Sequence, residues 1–253
     1  MRIELLPSSF PETEIQYLVS FIVDGTVAID AGSLGLLADI GRQQAIRHVF
    51  LTHEHLDHIA SLPLFLDNVY SAGPDCVELL AAPDVLEFLH GDIFNGRVWP
   101  DFFRLAGPDR PFLRTTALEP MVPVERAGLV VTPVPVSHAV GTLGLVVDDG
   151  RSAVAIPSDT GPTRRIWDHL AGLPHLKAVF LEASFPSTHS ELARLSGHLC
   201  TRTFAAEAAK VPAGVRTIVV HRKPRFAAQI ARELDELGLD GVELVRPGQV
   251  YEF

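Results

Sequence analysis

The sequence predicts an α/β layered fold on three observations: short runs rich in Val and Ile, segments of helical period between them, and metal-type side chains where the runs end. The runs are LVSFIV (18–23), TVAID (26–30), HVFLT (48–52), LVVTPVPVS (129–137), SAVAIPS (152–158), AVFLE (178–182) and TIVVH (217–221). They lack strict alternation, as strands do when helices cover the sheet and both faces are buried. Helices are predicted over 57–70, 83–93, 163–171, 199–210 and 225–237. In the last, Phe226, Ile230 and Leu234 fall at i, i+4 and i+8 and form one apolar stripe. No repeat and no Ser-, Gly- or Pro-rich linker divides the chain. The expectation is one domain over 1–253, with a helical and aromatic insertion around 83–118.

Composition bounds the rest. With 253 residues, 47% of them hydrophobic and 21% charged, the chain can bury a sizeable core, which excludes disorder and a fibrous fold. Lys plus Arg number 21 against 31 Asp plus Glu, a net charge of −10 without a basic run. A surface built to grip a long polyanion is therefore not expected, and nucleic acid is not an expected partner. A local metal cluster can still attract one small phosphate. Cys76 and Cys200 are too few for a disulfide framework or a four-thiolate site, so a reducing compartment is expected. The opening MRIELLPSSFPETEIQ has no apolar signal core, and no long apolar run follows. The expectation is a cytoplasmic protein with no membrane partner.

Five apolar runs end in a candidate ligand or acid/base: His53, His138, Asp159, Glu182 and His221. Open α/β sheets place their sites beyond one end of the strands, so these residues are expected to converge. The densest motif is Thr52-His53-Glu54-His55-Leu56-Asp57-His58, with four potential ligands within six positions between a strand and a helix. Such a turn can aim His53 and His55 at one cation, with Asp57 and His58 facing a second. Imidazole with carboxylate suits zinc, manganese or iron better than calcium or magnesium. Asp159 can bridge two cations, holding them roughly 3.5 to 4 Å apart; its alternative role is to cap the helix after Gly161-Pro162-Thr163. Taken alone, His221 reads equally as ligand or as structural histidine.

These residues resemble the metallo-β-lactamase superfamily and, within it, the class II cyclic-nucleotide phosphodiesterases. THEHLDHIASL (52–62) is similar to THxHLDHxxGL, IFNGRVWPDF (93–102) to FNxxIWPxF, and SDTGP (158–162) to GDTGP. LEASFP (181–186) with SGHL (196–199) resembles the E-x-SF and GHL elements, and HRKP (221–224) resembles HxKP. The matches run from about residue 26 to the C-terminus. The histidine motif marks the superfamily; FNxxxWP with GHL and HxKP narrows it. The resemblance implies an αββα sandwich of two mixed sheets with helices outside. It also implies a ligand scheme: His53, His55 and His138 on one metal, Asp57, His58 and His221 on the other, and Asp159 bridging.

The activity implied is hydrolysis of a 3′,5′-cyclic nucleotide, cAMP or cGMP, to the 5′-nucleotide by a hydroxide bridging two divalent metals, zinc first, manganese or iron as alternatives. Two dications, two aspartates and one hydroxide sum to about +1, which attracts a phosphodiester anion. Asp57 is expected to orient the water, His198 to protonate the leaving oxygen and Glu182 to orient His198. The alternative for His198 is to cap the helix near Leu199. Asn95 and Trp99, among the aromatics of 83–118, are candidate substrate contacts, although such aromatics also form core or a homodimer interface. Lys223 is read equally as phosphate contact or solvated side chain. Competing functions are a ribonuclease Z-like RNA endonuclease, which needs a basic arm not seen here, and a non-catalytic metal- or nucleotide-binding protein, expected to have lost ligands. A β-lactamase or glyoxalase-type thioesterase leaves FNxxxWP and GHL unexplained.

Overall fold

The computed structural model describes residues 1–8, 16–70, 76–105 and 112–253. The residues 9–15 of the opening segment and 106–111 of the aromatic stretch lie outside the described residues.

The first sheet holds β1 (Arg2–Leu5), β2 (Phe21–Val23), β3 (Val27–Ile29), β4 (His48–Phe50), β5 (Val77–Ala81), β6 (Leu113–Ala117) and β14 (Val250–Glu252), in the order β14-β1-β2-β3-β4-β5-β6. The second holds β7 (Val124–Arg126), β8 (Leu129–Pro135), β9 (Leu143–Asp148), β10 (Ala153–Ser158), β11 (Leu176–Glu182), β12 (Arg216–Val220) and β13 (Val242–Leu244), in sequence order from β13 back to β7. Both are mixed. The strands β3 to β6 and β10 to β13 run parallel, and the remaining neighbours pair antiparallel.

Residue parity explains why the apolar runs lose their alternation. Val27, Ile29, Phe50 and Leu80 of the first sheet meet Val154, Ile156, Ala178, Phe180, Ile218 and Val220 of the second in one core between the sheets. The intervening Ala28, Val49 and Leu79 face outward under α3 (Leu62–Val69), through Leu62, Phe65 and Leu66. Across the molecule Ala153, Ala155, Val179 and Val219 lie under α5 (Arg165–Leu170), α7 (Thr201–Ala208) and α8 (Ala227–Leu237). The central strands are thus apolar on both faces, and the layers stack helix, sheet, sheet, helix.

Three expectations are corrected. The helix over 57–70 is two, α2 (Leu56–Ile59) and α3, because Pro63 has no N–H to continue the first turn and Ser61 instead donates both its N–H and its hydroxyl to Ala31 O. The helix over 83–93 is α4 (Pro83–Phe88) followed by a wider π turn over Leu89–Ile93. Within 83–118, residues Leu113–Ala117 are a strand paired with β5, an exposed edge whose polar residues hid it. The helices α1 (Ile40–Ala45) and α6 (Ser190–Ser196) complete the described set.

Candidate metal centre

The metal-type residues lie at or beyond the strand ends: Glu182 closes β11, Asp57 and His58 sit in α2, and the others lie in the connections after β4, β8, β10, β11 and β12. Ligand-capable atoms of His53, His55, His138 and Asp159 come within 4.8 Å of one another, as do those of Asp57, His58, Asp159 and His221. Asp159 belongs to both groups. A third group, Glu182, His198 and His221, adjoins the second.

The backbone brings these loops together at a cost. Asp30, Ser158 and His221 adopt φ of 58°, 60° and 53°, a region that non-glycine residues avoid, each at the end of a strand. The loop bearing the histidine motif is fastened by Val19 N to Asp57 O at 2.8 Å and Ala31 N to His58 O at 2.7 Å. This packing leaves Gly32 no room for a side chain, since a Cβ would sit 2.0 Å from Asp57 O.

Hydrogen bonds fix which ring nitrogen each histidine presents. His58 donates Nδ1–H to Asp30 Oδ2 at 2.7 Å, and His53 donates Nδ1–H to Thr52 Oγ1 at 3.0 Å. His138 donates Nδ1–H to Gly197 O at 2.9 Å, and His221 donates Nδ1–H to Ser184 Oγ at 2.9 Å, the serine hydroxyl being spent on His221 O. These tautomers follow from the partners. Four rings therefore turn Nε2 inward, the arrangement in which an outer hydrogen bond orients a metal-ligating imidazole. His55 presents Nδ1 instead, 3.2 Å from His138 Nε2.

The fit to a cation shows in what is left unpaired. The Nε2 atoms of His53 and His58 are buried with no hydrogen-bond partner, 3.8 and 3.4 Å from the Asp159 carboxylate. Buried polar atoms that face one another unbonded are costly, and ligation would satisfy them together. Electrostatics agree. Burial and neighbouring His58 hold His53 well below the usual histidine pKa, and burial lowers His138, so both favour the neutral, ligating form. Burial would also lower His58, but Asp159 and Asp30 outweigh it and raise it, marking a position that calls for positive charge. Burial opposes ionisation of Asp159 and Asp57. His221 and His58 nonetheless keep Asp159 well below the carboxylate range, and the His221 ring, with Nε2 3.1 Å from Asp57 Oδ2, does the same for Asp57.

Beside this cluster Glu182, fully buried, accepts from His198 Nδ1 at 2.8 Å, Thr160 N at 2.8 Å and Leu199 N at 3.2 Å. The capping alternatives are corrected: Cys200 caps α7 and Arg164 caps α5, so neither His198 nor Asp159 is spent on a helix end. Lys223 Nζ lies 3.7 Å from Asp57 Oδ2. Asn95 instead uses its amide on its own turn, donating to Gly91 O and Asp92 O and accepting from Arg97 N and Val98 N. Trp99 packs against the core under the first sheet. The described contacts of these two residues do not reach the histidines. Sequence reasoning passed over Asp30, Thr52, Ser158 and Gly197, each of which holds a cluster residue or its neighbour.

A family model described as the beta-lactamase superfamily domain matches residues 34–222, which include every cluster residue. The chain belongs to the metallo-β-lactamase superfamily. The chain is 26% identical over 212 residues to a probable 3′,5′-cyclic-nucleotide phosphodiesterase of Yersinia pestis, covering 73% of this chain and 59% of that one. It is 25% identical over 240 residues to 3′,5′-cyclic-nucleotide phosphodiesterase 1 of Saccharomyces cerevisiae, covering 78% and 63%. The chain thus spans about three-fifths of the length of these curated relatives. Its fold matches the crystal structure of unliganded yeast PDE1 with a TM-score of 0.78, at 19% identity over 98% of both chains. A metallo-β-lactamase hydrolase fold, phosphodiesterase-named relatives and a His/Asp cluster suited to divalent metal therefore coincide in one chain. No helix among the described residues is long and apolar enough to cross a membrane.

Proposed function

We propose that this protein is a phosphodiesterase that opens the 3′,5′-cyclic phosphate of a nucleotide to the 5′-nucleotide. The observation that carries the reading is Asp159 shared between two ligand groups, with the Glu182–His198 pair alongside. The choice of cyclic nucleotide draws on the relatives named above.

His53, His55 and His138 would hold one divalent ion, Asp57, His58 and His221 the other, and Asp159 both. Zinc is the first choice for this donor set, with manganese or iron as alternatives. Bound there, the ions would supply Lewis acidity, drawing the pKa of water towards about 7 and polarising the phosphoryl oxygens. Asp57, whose Oδ2 lies 3.1 Å from His221 Nε2, would accept a hydrogen bond from the attacking water. As water adds to phosphorus and the bond to the 3′ oxygen breaks, that oxygen needs a proton. His198 supplies it from Nε2, because its Nδ1–H is committed to Glu182. Lys223, one-third exposed at the rim, adds positive charge for the phosphodiester. Asn95 and Trp99 enter the substrate assignment through the FNGRVWP segment. Asn95 would act by holding the turn that carries Trp99.

The test is metal analysis of the purified protein, with assays on cAMP, cGMP and bis(4-nitrophenyl) phosphate with and without chelator. About two equivalents of metal and chelator-sensitive release of a 5′-nucleotide are expected. Turnover of the generic ester alone would reject cyclic nucleotides as substrate, and turnover of none of the three would reject catalysis.

A further inference from the structure

Two residues that directly precede cluster residues are hydrogen-bonded to each other across the two sheets. Ser158, the last residue of β10, donates its hydroxyl to Thr52 Oγ1 at 2.9 Å, although 106 positions separate them. Ser158 precedes Asp159, and Thr52 precedes His53. Thr52 in turn donates to the Asp30 carboxylate, 3.0 Å from each oxygen, which leaves its lone pairs for Ser158 and for His53 Nδ1–H. Ser158 reaches this bond at φ 60°, where a residue with a Cβ is disfavoured and glycine is at ease. Glycine would relieve the strain and lose the hydroxyl. The hydroxyl is thus what a serine offers here in return for the strained backbone.

We propose that Ser158 is a positioning residue: through Thr52 it sets the span between His53 and Asp159, and so governs how tightly the centre holds its metal. The inference rests on the metal-binding reading above. Ser158→Gly removes hydroxyl and strain together, Ser158→Ala removes the hydroxyl and keeps the strain, and Thr52→Ser keeps the acceptor. Metal-free melting temperature, zinc affinity by competition with a chromophoric chelator, and imidazole ¹⁵N spectra of the metal-free protein are the readouts.

S158G is expected to melt at the wild-type temperature or above while holding zinc roughly 10- to 100-fold more weakly, the usual effect of losing an outer hydrogen-bond partner. S158A should lose as much affinity and also melt lower, and T52S should stay within about threefold of wild type in affinity. The His53 ring ¹⁵N shifts should move in S158G while the Nδ1–H tautomer stays, because Thr52 still donates to Asp30 and still accepts from His53. Wild-type zinc affinity in S158G, or a loss in S158A that S158G does not share, would overturn the inference while leaving the metal reading intact. Failure of the wild-type protein to take up zinc would remove the metal reading and the affinity claim with it. Unmoved His53 ring shifts in S158G would then remove the rest.

Discussion

Asp30 Oδ2 stands 2.7 Å from His58 Nδ1, and Asp30 Oδ1 accepts from Thr52 N at 2.9 Å, so one carboxylate orients His58 of one ligand group directly and, through Thr52, His53 of the other. Asp30 is 1% exposed and His58 is likewise buried. Truncating it in Asp30→Ala leaves the His58 and Thr52 donors without an acceptor inside the protein. The expected cost is about 2 to 4 kcal/mol in chemical denaturation of the metal-free chain. Asp30→Asn keeps an acceptor and should cost less. A loss below about 0.5 kcal/mol in D30A would mean that the carboxylate is dispensable to the fold.

His198 pairs with Glu182 through Nδ1 at 2.8 Å, which leaves its second imidazole nitrogen for chemistry. Burial lowers the His198 pKa, but Glu182 outweighs it and raises it, so the ring holds a proton more readily than a free histidine. His198→Ala should lower kcat by roughly 10² to 10⁴ with both metals retained. Metal content measured beside the rate decides the role: if one equivalent is lost with the activity, His198 is a ligand and not the acid. Glu182→Gln should have a smaller effect on rate, because an amide oxygen in the Oε1 position still accepts from His198 and Thr160, two of the three donors.

Gly197 ends α6 at φ 70°, and its carbonyl holds His138 Nδ1. A Cβ there would lie 2.7 Å from Ala139 N and 3.0 Å from His138 C, backbone atoms that cannot swing aside. Gly197→Ala therefore meets a clash and a disfavoured φ together. Thermal melting should report about 1 to 3 kcal/mol of destabilisation, and His138 should move with the backbone. A variant as stable as wild type, with unchanged metal content, would show that the α6 turn yields more than this packing implies.

What the sequence revealed follows from what local pattern can carry. The seven Val- and Ile-rich runs all became strands, because burial on both faces leaves a continuous apolar signature. The cluster residues stood out because histidine and aspartate at the ends of such runs are costly unless ligated. By contrast, β6 (RTTA after its leading Leu) and β7 (VER) are polar edge or hairpin strands with no such signature, and the two short helices α1 and α6 were too brief to show a period. Asp30 closed a recognised run yet went unread as an orienting group, because its partners Thr52 and His58 lie 22 and 28 positions away and meet it only once β3 and β4 pair. Ser158 and Gly197 were invisible for a related reason, since their importance lies in a backbone angle.

The sheets are also tied at an edge by an ion pair. Arg126 of β7 donates Nε and Nη2 to Glu78 of β5 at 2.7 and 2.9 Å, with Thr116 and His48 on the same carboxylate. The hydrogen bonds from Arg126 pull the Glu78 pKa down to about 2, against the opposing effect of burial. The sign follows from linkage: a carboxyl more acidic in the folded chain than in the unfolded one stabilises the fold above the ordinary carboxylate range. That contribution fades as pH falls from about 4.5 towards 2, where folded and unfolded chains both bind the proton. Glu78→Gln should cost about 1 to 2 kcal/mol at pH 7, less than the full shift implies because Arg126 is partly solvated. Wild type and E78Q should converge in stability by about pH 2 to 3, read from urea denaturation across that range. A gap that stays constant down to pH 2 would mean that Glu78 acts through packing and not through its charge.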